Sequence, residues 1–246
     1  MVALPARVPV AGARLVEQPV LSLVIPTWDE GDSLLALLQS LQPLRTQGVE
    51  ILVADGEGSD LARFAGLPLA DHWLATKPGR AFQMQAAATI ARGNTLAFVH
   101  VDTRVDLALF QLLLTAPDGW GFFPVQLLPE TSAMRLVAWS MNLRSRLSGI
   151  GTGDQLLWVS RSRFWQVGGY PAQKLMEDIA LCRKLKRTGA PVFLPGRVGS
   201  SARRWQQRGW LRTIVLMWTL RARYWLGADP DHLARIYYPE HKQLNE

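Results

Sequence analysis

The sequence predicts an α/β fold with a mainly parallel sheet flanked by helices. In the first half of the 246-residue chain, short apolar runs alternate with segments whose apolar residues recur at helical spacing. This alternation is typical of strand–helix–strand units, which place their strands side by side in parallel. Hydrophobic residues make up 48% of the chain, which is enough to bury a substantial core.

The individual elements follow from apolar periodicity and from the residues that cap helices. Strands are predicted at residues 20–25, 49–54, 72–76 and 94–103. Asp32 and Ser33 are expected to begin a helix that ends near Pro43, and Gly79 with Arg80 opens a helix that reaches residue 90. The second half is less regular, with predicted strands at 119–128 and 155–160 and helices at 132–147, 161–167, 176–187 and within 205–238.

The chain is predicted to hold one large domain with extensions at both ends. Residues 1–18 read as a loose tail rather than a signal peptide, because a proline interrupts a short apolar part. The large domain is expected at 19–205, and an amphipathic helical appendage at 206–246. The longest uncharged apolar candidate near the end, 213–220, is too short to span a bilayer.

Charge and cysteine content narrow the function classes. The formal net charge of +7 implies a partner of opposite sign, such as nucleotide phosphates, anionic lipid or nucleic acid. The single cysteine, Cys182, excludes an internal disulfide and a cysteine-based zinc cluster. It fits a reducing compartment, and we therefore expect a cytoplasmic protein.

His100 and Asp102 are candidate metal ligands at the end of a predicted strand. Alternate residues of a strand point to the same side, and the carboxyl ends of parallel strands are where α/β sheets bind ligands. An imidazole and a carboxylate can hold Mn²⁺ or Mg²⁺ while leaving positions open for phosphate oxygens. Two alternatives remain: Asp102 or Thr103 begins the next helix, or His100 is a satisfied polar group in the sheet.

Five segments carry a resemblance to a known family: 26–30, 55–59, 77–80, 100–102 and 176–178. In this order they resemble family 2 glycosyltransferases of the GT-A, Rossmann-like fold, especially a bacterial subgroup with GR-x₂-QM and HxDT motifs. The resemblance covers about residues 20 to 205. It implies inverting transfer of a sugar from a UDP- or GDP-sugar to an acceptor that the sequence does not identify, assisted by a divalent cation.

The resemblance also implies residue roles at the donor. Asp55 would accept a nucleobase N–H, or alternatively shape its own turn. Glu30 would contact ribose or base, or be a solvated charge. Arg80 would bind the diphosphate together with free N–H groups at a helix N-terminus, or be an ordinary surface arginine. The full nucleotide-binding set is Pro26, Thr27, Glu30, Asp55, Gly79 and Arg80.

Downstream residues complete the predicted site. Glu177 and Asp178 resemble the family's acidic pair, which implies Asp178 as general base and Glu177 as a positioning residue; the alternative is that both only favour the helix dipole. Asp154 and Gln155 are expected to face substrate. Arg203 or Arg204 is expected to offset charge on the diphosphate.

Residues 210–226 combine tryptophan, aliphatic residues and arginine, with no acid before Asp229. This composition is typical of a helix on an anionic membrane, here the inner face, although packing on the domain or in a homo-oligomer are alternatives. Two other functions compete with sugar transfer. A nucleotidyltransferase would carry a loop richer in glycine and lysine at 26–29, and a non-catalytic nucleotide-sugar-binding protein would not need the acidic pair. Nucleic-acid binding would leave the strand-end acids without a purpose.

Overall fold

The computed structural model describes residues 7–8, 19–104, 106–203, 205 and 209–238. Its strands, numbered along the chain, are β1 Arg7–Val8, β2 Leu21–Thr27, β3 Val49–Asp55, β4 His72–Ala75, β5 Thr95–Phe98, β6 Thr103–Arg104, β7 Trp120–Gly121, β8 Val125–Leu128, β9 Trp158–Ser160 and β10 Val198–Ser201. Its helices are α1 Asp32–Arg45, α2 Ser59–Phe64, α3 Arg80–Ile90, α4 Leu107–Leu114, α5 Ser132–Ser148, α6 Arg161–Gln166, α7 Glu177–Leu185, α8 Trp210–Trp225 and α9 Pro230–Tyr237.

The larger sheet has the strand order β1-β4-β3-β2-β5-β9-β7. Strands β4, β3, β2 and β5 run parallel, whereas β1 and β9 are antiparallel to their neighbours. A smaller sheet joins β6, β10 and β8. The predicted α/β class with a mainly parallel sheet is therefore confirmed.

The central strands are buried on both faces. All residues of β2 and β3 are buried, as expected for parallel strands covered by helices on each side. Alternate residues point in opposite directions, so Leu23 and Ile25 pack with the leucines of α1, whereas Val24 packs with Met84 of α3. These two apolar layers fix the position of the strand ends, where the site lies.

Three predicted strands were wrong in extent. The strand expected at 155–160 begins only at Trp158, after a 3-10 helix at Gly153–Gln155. The strand expected to reach residue 103 ends at Phe98, and His100 and Asp102 lie in a following turn in which Thr103 N–H donates to the His100 carbonyl (3.0 Å). The run at 119–128 forms two strands in different sheets, β7 and β8. Pro124 lies between them, and proline cannot donate to a ladder.

The C-terminal segment is helical, as predicted, but it is divided between α8 and α9. Leu216, Met217 and Tyr224 of α8 pack against the buried cluster that includes α3 and α7. Within the described residues, no helix combines the length and the apolar character needed to cross a membrane. The domain boundaries at 18/19 and 205/206 stay predictions.

Candidate functional site

The loop after β2 is fixed by two residues to which the sequence assigns no role. Buried Gln83, from the GR-x₂-QM motif, donates through Nε2 to the Thr27 carbonyl (2.5 Å) and the Ala54 carbonyl (2.9 Å). The Asp60 carboxylate accepts the hydroxyl of Thr27 and the backbone N–H groups of Glu30 and Gly31, both at 2.9 Å. Gln83 and Asp60 therefore position the ends of β2 and β3. The GR-x₂-QM motif was the one sequence feature that could have indicated this role of Gln83.

Asp55 is fully buried at the end of β3. Its Oδ1 accepts the Glu57 N–H (3.0 Å) and its Oδ2 accepts the Leu61 N–H (2.7 Å). The carboxylate thus shapes the loop before α2, which agrees with the alternative interpretation that Asp55 shapes its own turn. Carboxylate oxygens have further lone pairs, and a role for Asp55 toward a nucleobase stays a prediction.

A candidate metal site forms from His100, Asp102 and Asp154. Each offers one ligand atom, and these atoms all lie within 4.8 Å of one another. Asp154 comes from a short 3-10 helix, Gly153–Gln155, and was expected to face substrate instead. Two carboxylates and one imidazole suit Mn²⁺ or Mg²⁺, because such ions take oxygen ligands and tolerate nitrogen.

Gly153 connects the candidate metal site to the acidic pair Glu177 and Asp178. Its N–H donates to Oδ2 of Asp178 (3.0 Å). A Cβ added at Gly153 would overlap the His100 ring and come within 2.8 Å of Nε2. The ring is buried, so it has little room to move away.

We therefore predict that Gly153→Ala weakens Mn²⁺ binding by about 10-fold or more, because displacing a supporting contact disorients a ligand. Calorimetric titration with Mn²⁺ measures the effect. Gly66→Ala is the matched control, since a Cβ at Gly66 meets no atom within 4 Å. Equal Mn²⁺ affinity in both variants would contradict the prediction.

The acidic pair occupies the first turn of α7. Met176, which precedes it, adopts a left-handed conformation (φ 62°, ψ 23°) and is buried. A left-handed conformation is costly for a residue other than glycine and is maintained only by surrounding packing. Burial of Leu175 and Met176 in the second apolar layer supplies that packing, so the start of α7 is held in a fixed orientation.

Burial, and secondly the charge of Asp178, raise the pKa of Glu177 to about 7, and Arg80 opposes the rise. Tyr238 contributes most to raising the pKa of Arg80, followed by Glu177, Tyr237 and Asp102, while burial opposes them. Arg80 is therefore near enough to Glu177 and to Asp102 to interact with both charges. A guanidinium at the N-terminus of α3 is well placed to bind an anion.

The raised pKa makes stability depend on pH. Glu177 stabilises the fold fully below about pH 4.5, its ordinary pKa, and this contribution is lost as the pH rises through about 7. We predict that the unfolding temperature of the metal-free protein falls over this window and that Glu177→Gln flattens the fall. Thermal unfolding between these pH values tests it, with exposed Glu57→Gln as control. The same slope in all three proteins would contradict it.

A cavity of about 260 Å³ brings together six of the predicted site residues. Its lining includes Arg80, Asp102, Asp154, Glu177, Asp178 and Arg203. Glu30 lies near this group, since burial and then Asp102 raise its pKa, whereas Arg80 and Arg203 lower it. The other predicted residues that the structure describes do not line the cavity: Pro26, Thr27, Glu30, Asp55, Gly79, His100 and Gln155.

Gln155 is buried, and its side chain connects α5 to the loop before the 3-10 helix. Its Oε1 accepts from the Ser145 hydroxyl (2.7 Å) and from the Thr152 N–H (3.1 Å). Gly79 caps α3 with φ 125°, a conformation suited to glycine. Arg204 lies outside the described residues.

Solved structures resemble this architecture at low sequence identity. Mannosyltransferase PcManGT from Pyrobaculum calidifontis, in complex with GDP-Man and Mn²⁺, is 18% identical with a TM-score of 0.59, over 96% of this chain and 74% of that one. Glucosyl-3-phosphoglycerate synthase from Mycobacterium tuberculosis, in complex with Mn²⁺, UDP and phosphoglyceric acid, is 18% identical with a TM-score of 0.51, over 74% and 69%. The chain has the GT-A fold.

A third GT-A structure, S. aureus TarS 1–349 in complex with UDP-GlcNAc, is 14% identical with a TM-score of 0.55. The match covers 74% of this chain and 58% of that one, which is less than two thirds of its length. No protein-family model and no curated protein matches the chain. The comparisons therefore establish the fold, and the assignment to family 2 stays a prediction.

Proposed function

We propose that the protein is an inverting, metal-assisted glycosyltransferase of the family 2 type that moves a sugar from a UDP- or GDP-sugar to an acceptor hydroxyl. The observation that carries the proposal is the meeting of Asp154 with His100 and Asp102 beside a cavity that also holds Glu177 and Asp178. The GT-A structures that this chain resembles include complexes with GDP-Man and Mn²⁺ and with UDP and Mn²⁺.

The donor diphosphate would bind on the side of the cavity where Arg80 and Arg203 lie. His100, Asp102 and Asp154 would hold a divalent cation, which when bound supplies positive charge to the diphosphate oxygens. Arg80 combines its guanidinium with the N–H groups at the start of α3. Both arginines would offset the negative charge that grows as the diphosphate leaves.

Asp178 would act as the general base. The acceptor oxygen forms a bond to the anomeric carbon while the bond from that carbon to the diphosphate oxygen breaks, and the hydroxyl proton passes to the carboxylate. Attack opposite the leaving group inverts the anomeric configuration. The Gly153 N–H orients Oδ2 of Asp178, and Glu177, which interacts with the charges of both Asp178 and Arg80, would position them.

A donor screen tests the proposal. UDP- and GDP-sugars are mixed with the protein in Mn²⁺ or Mg²⁺, and the unfolding temperature is measured, because a ligand that binds the folded state raises it. We expect one nucleotide class to raise it only when a divalent cation is present. No shift with any donor would contradict the proposal, and binding without release of nucleoside diphosphate to any acceptor would favour a non-catalytic binding protein.

We also propose a cytoplasmic protein that is peripheral on the inner face of the membrane. Helix α8 packs through one face and leaves apolar residues exposed on the other, namely Leu211, Val215 and Trp225, followed by exposed Leu226 just after its end. Trp218 is also exposed and lies at the cavity. Arg212 and Arg223 of the same helix are also exposed, and no acid lies between 203 and 223. Exposed aromatic and aliphatic residues beside basic charge favour binding to anionic lipid.

We predict that the protein floats with vesicles containing anionic lipid, that added salt reduces flotation, and that the double variant Leu211→Ser, Val215→Ser floats less. Leu67→Ser is the matched control, because Leu67 is exposed on the loop after α2. If the wild type fails to float, the exposed apolar face of α8 instead serves packing between copies of the chain, and a concentration-dependent mass in solution would identify that role.

A further inference from the structure

The cavity has a second pair of arginines that the donor does not use. Arg144 projects from α5 and Arg221 from α8, and both line the cavity that contains Asp178. Arg221 lies one helical turn after Met217, another lining residue, so this face of α8 is directed at the cavity. The two helices thus present two guanidinium groups to one space.

In the part of the chain that the structure describes, neither guanidinium forms a salt bridge. Arg144 donates to the hydroxyl of Ser145 (3.0 Å), and the buried Nε of Arg221 has no hydrogen-bond partner in the described part of the chain. Removing such cations from water is costly unless an anion compensates.

The charges around the two arginines also favour a bound anion. Burial, and secondly the charge of Arg221, lower the pKa of Arg144 to about 10, against the opposing effect of Asp178 and Asp154. Burial also lowers the pKa of Arg221, with Asp178 and Asp154 opposing. The two cations repel each other, and an anion held between them would relieve both the repulsion and the lost hydration.

This pair is separate from the arginines assigned to the donor. Among the charges that raise the pKa of Arg80 are Glu177 and Asp102, whereas those that raise the pKa of Arg144 and Arg221 are Asp178 and Asp154. Arg144 and Arg221 therefore lie near the general base Asp178 and near Asp154 of the metal group, whereas Arg80 lies near Glu177 and Asp102.

We infer that Arg144 and Arg221 bind an oxyanion, a phosphate or carboxylate, carried by the acceptor. The inference rests on the proposed function, since it places the acceptor hydroxyl at Asp178 and the anionic group at the two guanidiniums. Arginine pairs suit this task because each guanidinium offers a planar set of donors to oxyanion oxygens. The acceptor class is therefore an acidic hydroxyl compound rather than a neutral sugar.

Phosphate titration tests the inference. The protein is first saturated with Mn²⁺ and the nucleoside diphosphate selected by the donor screen, which fills the part of the cavity near Arg80, and inorganic phosphate is then titrated by calorimetry. We expect saturable binding to the wild type. Arg144→Met and Arg221→Met should each weaken it by about 10-fold or more, the effect of losing one charged hydrogen bond.

Matched controls lie on the same helices. Arg146 on α5 and Arg223 on α8 are exposed and do not line the cavity, so Arg146→Met and Arg223→Met should bind phosphate as the wild type does. No phosphate binding by the wild type, or equal weakening in the controls, would overturn the inference. Methionine has a similar length and removes a charge that pairs with no described carboxylate, so the unfolding temperature should not fall. Arg144→Lys and Arg221→Lys replace any variant that fails to fold, and they should bind phosphate more weakly because lysine lacks the planar donor set.

Failure of the proposed function can be distinguished from failure of this inference. If no nucleotide binds, phosphate is titrated without it in the wild type and Arg221→Met, and loss of binding in that variant still supports an oxyanion site. The source of the oxyanion is resolved by two competitors, soluble glycerol 3-phosphate and phosphatidylcholine vesicles that contain phosphatidic acid. Competition by the first alone indicates a soluble acceptor, and Arg221-dependent competition by the second indicates a lipid headgroup.

Discussion

Replacing Asp178 with asparagine is expected to lower sugar transfer by about 100-fold or more, the usual effect of losing a general base. Donor binding should persist, because Asp178 is not among the metal ligands. The asparagine side-chain oxygen can still accept the Gly153 N–H that Oδ2 accepts in the wild type, so the loop that carries Asp154 should keep its position.

The measurement separates binding from turnover. Nucleotide-sugar affinity is measured by calorimetry and transfer by release of nucleoside diphosphate with the acceptor. Asp231→Asn is the matched control, because Asp231 is exposed on α9 and does not line the cavity. Transfer at the wild-type rate in Asp178→Asn would assign the base to another carboxylate, with Asp154 and Glu177 the nearest candidates.

The sequence predicts the sheet well where burial is complete. Strands β2 and β3 are nearly continuous apolar runs, interrupted by Ser22 and Glu50, because both faces are covered, and such runs have few alternatives in an α/β protein. The start of α3 at Arg80 was also predicted, since Gly79 supplies the conformation that precedes the helix. By contrast, the split of 119–128 depends on which sheet each half pairs with, and local sequence does not contain that information.

The site was predicted only in part, because local sequence indicates some of its residues and tertiary packing brings in the others. His100 and Asp102 are close in sequence and follow a clear strand, whereas Asp154 joins them only through the tertiary placement of a 3-10 helix. Arg144 and Arg221 lie on amphipathic helices where arginine is usual on a solvated face. Their direction toward the cavity follows from how α5 and α8 pack, which the pattern of each helix alone cannot predict.

Replacing Asp102 with asparagine is expected to weaken Mn²⁺ binding by roughly 10- to 100-fold or more. Loss of a residue that only supports a metal ligand already has an effect of this size, and Asp102 is a candidate ligand itself. A neutral amide oxygen holds a divalent cation less well than a carboxylate. Asp102 is exposed, so the substitution should leave the unfolding temperature of the metal-free protein unchanged.

His100→Asp provides the opposite test of the same site. A third carboxylate beside Asp102 and Asp154 adds charge, so Mn²⁺ binding should be preserved or strengthened, with a shift in preference toward Mg²⁺ because the softer nitrogen ligand is lost. Calorimetric titration of both ions into His100→Asp, Asp102→Asn and the Asp231→Asn control measures these effects. Weaker binding in His100→Asp would mean that the imidazole acts through its packing on Gly153 rather than as a ligand, whereas unchanged binding in Asp102→Asn would move the metal away from this group.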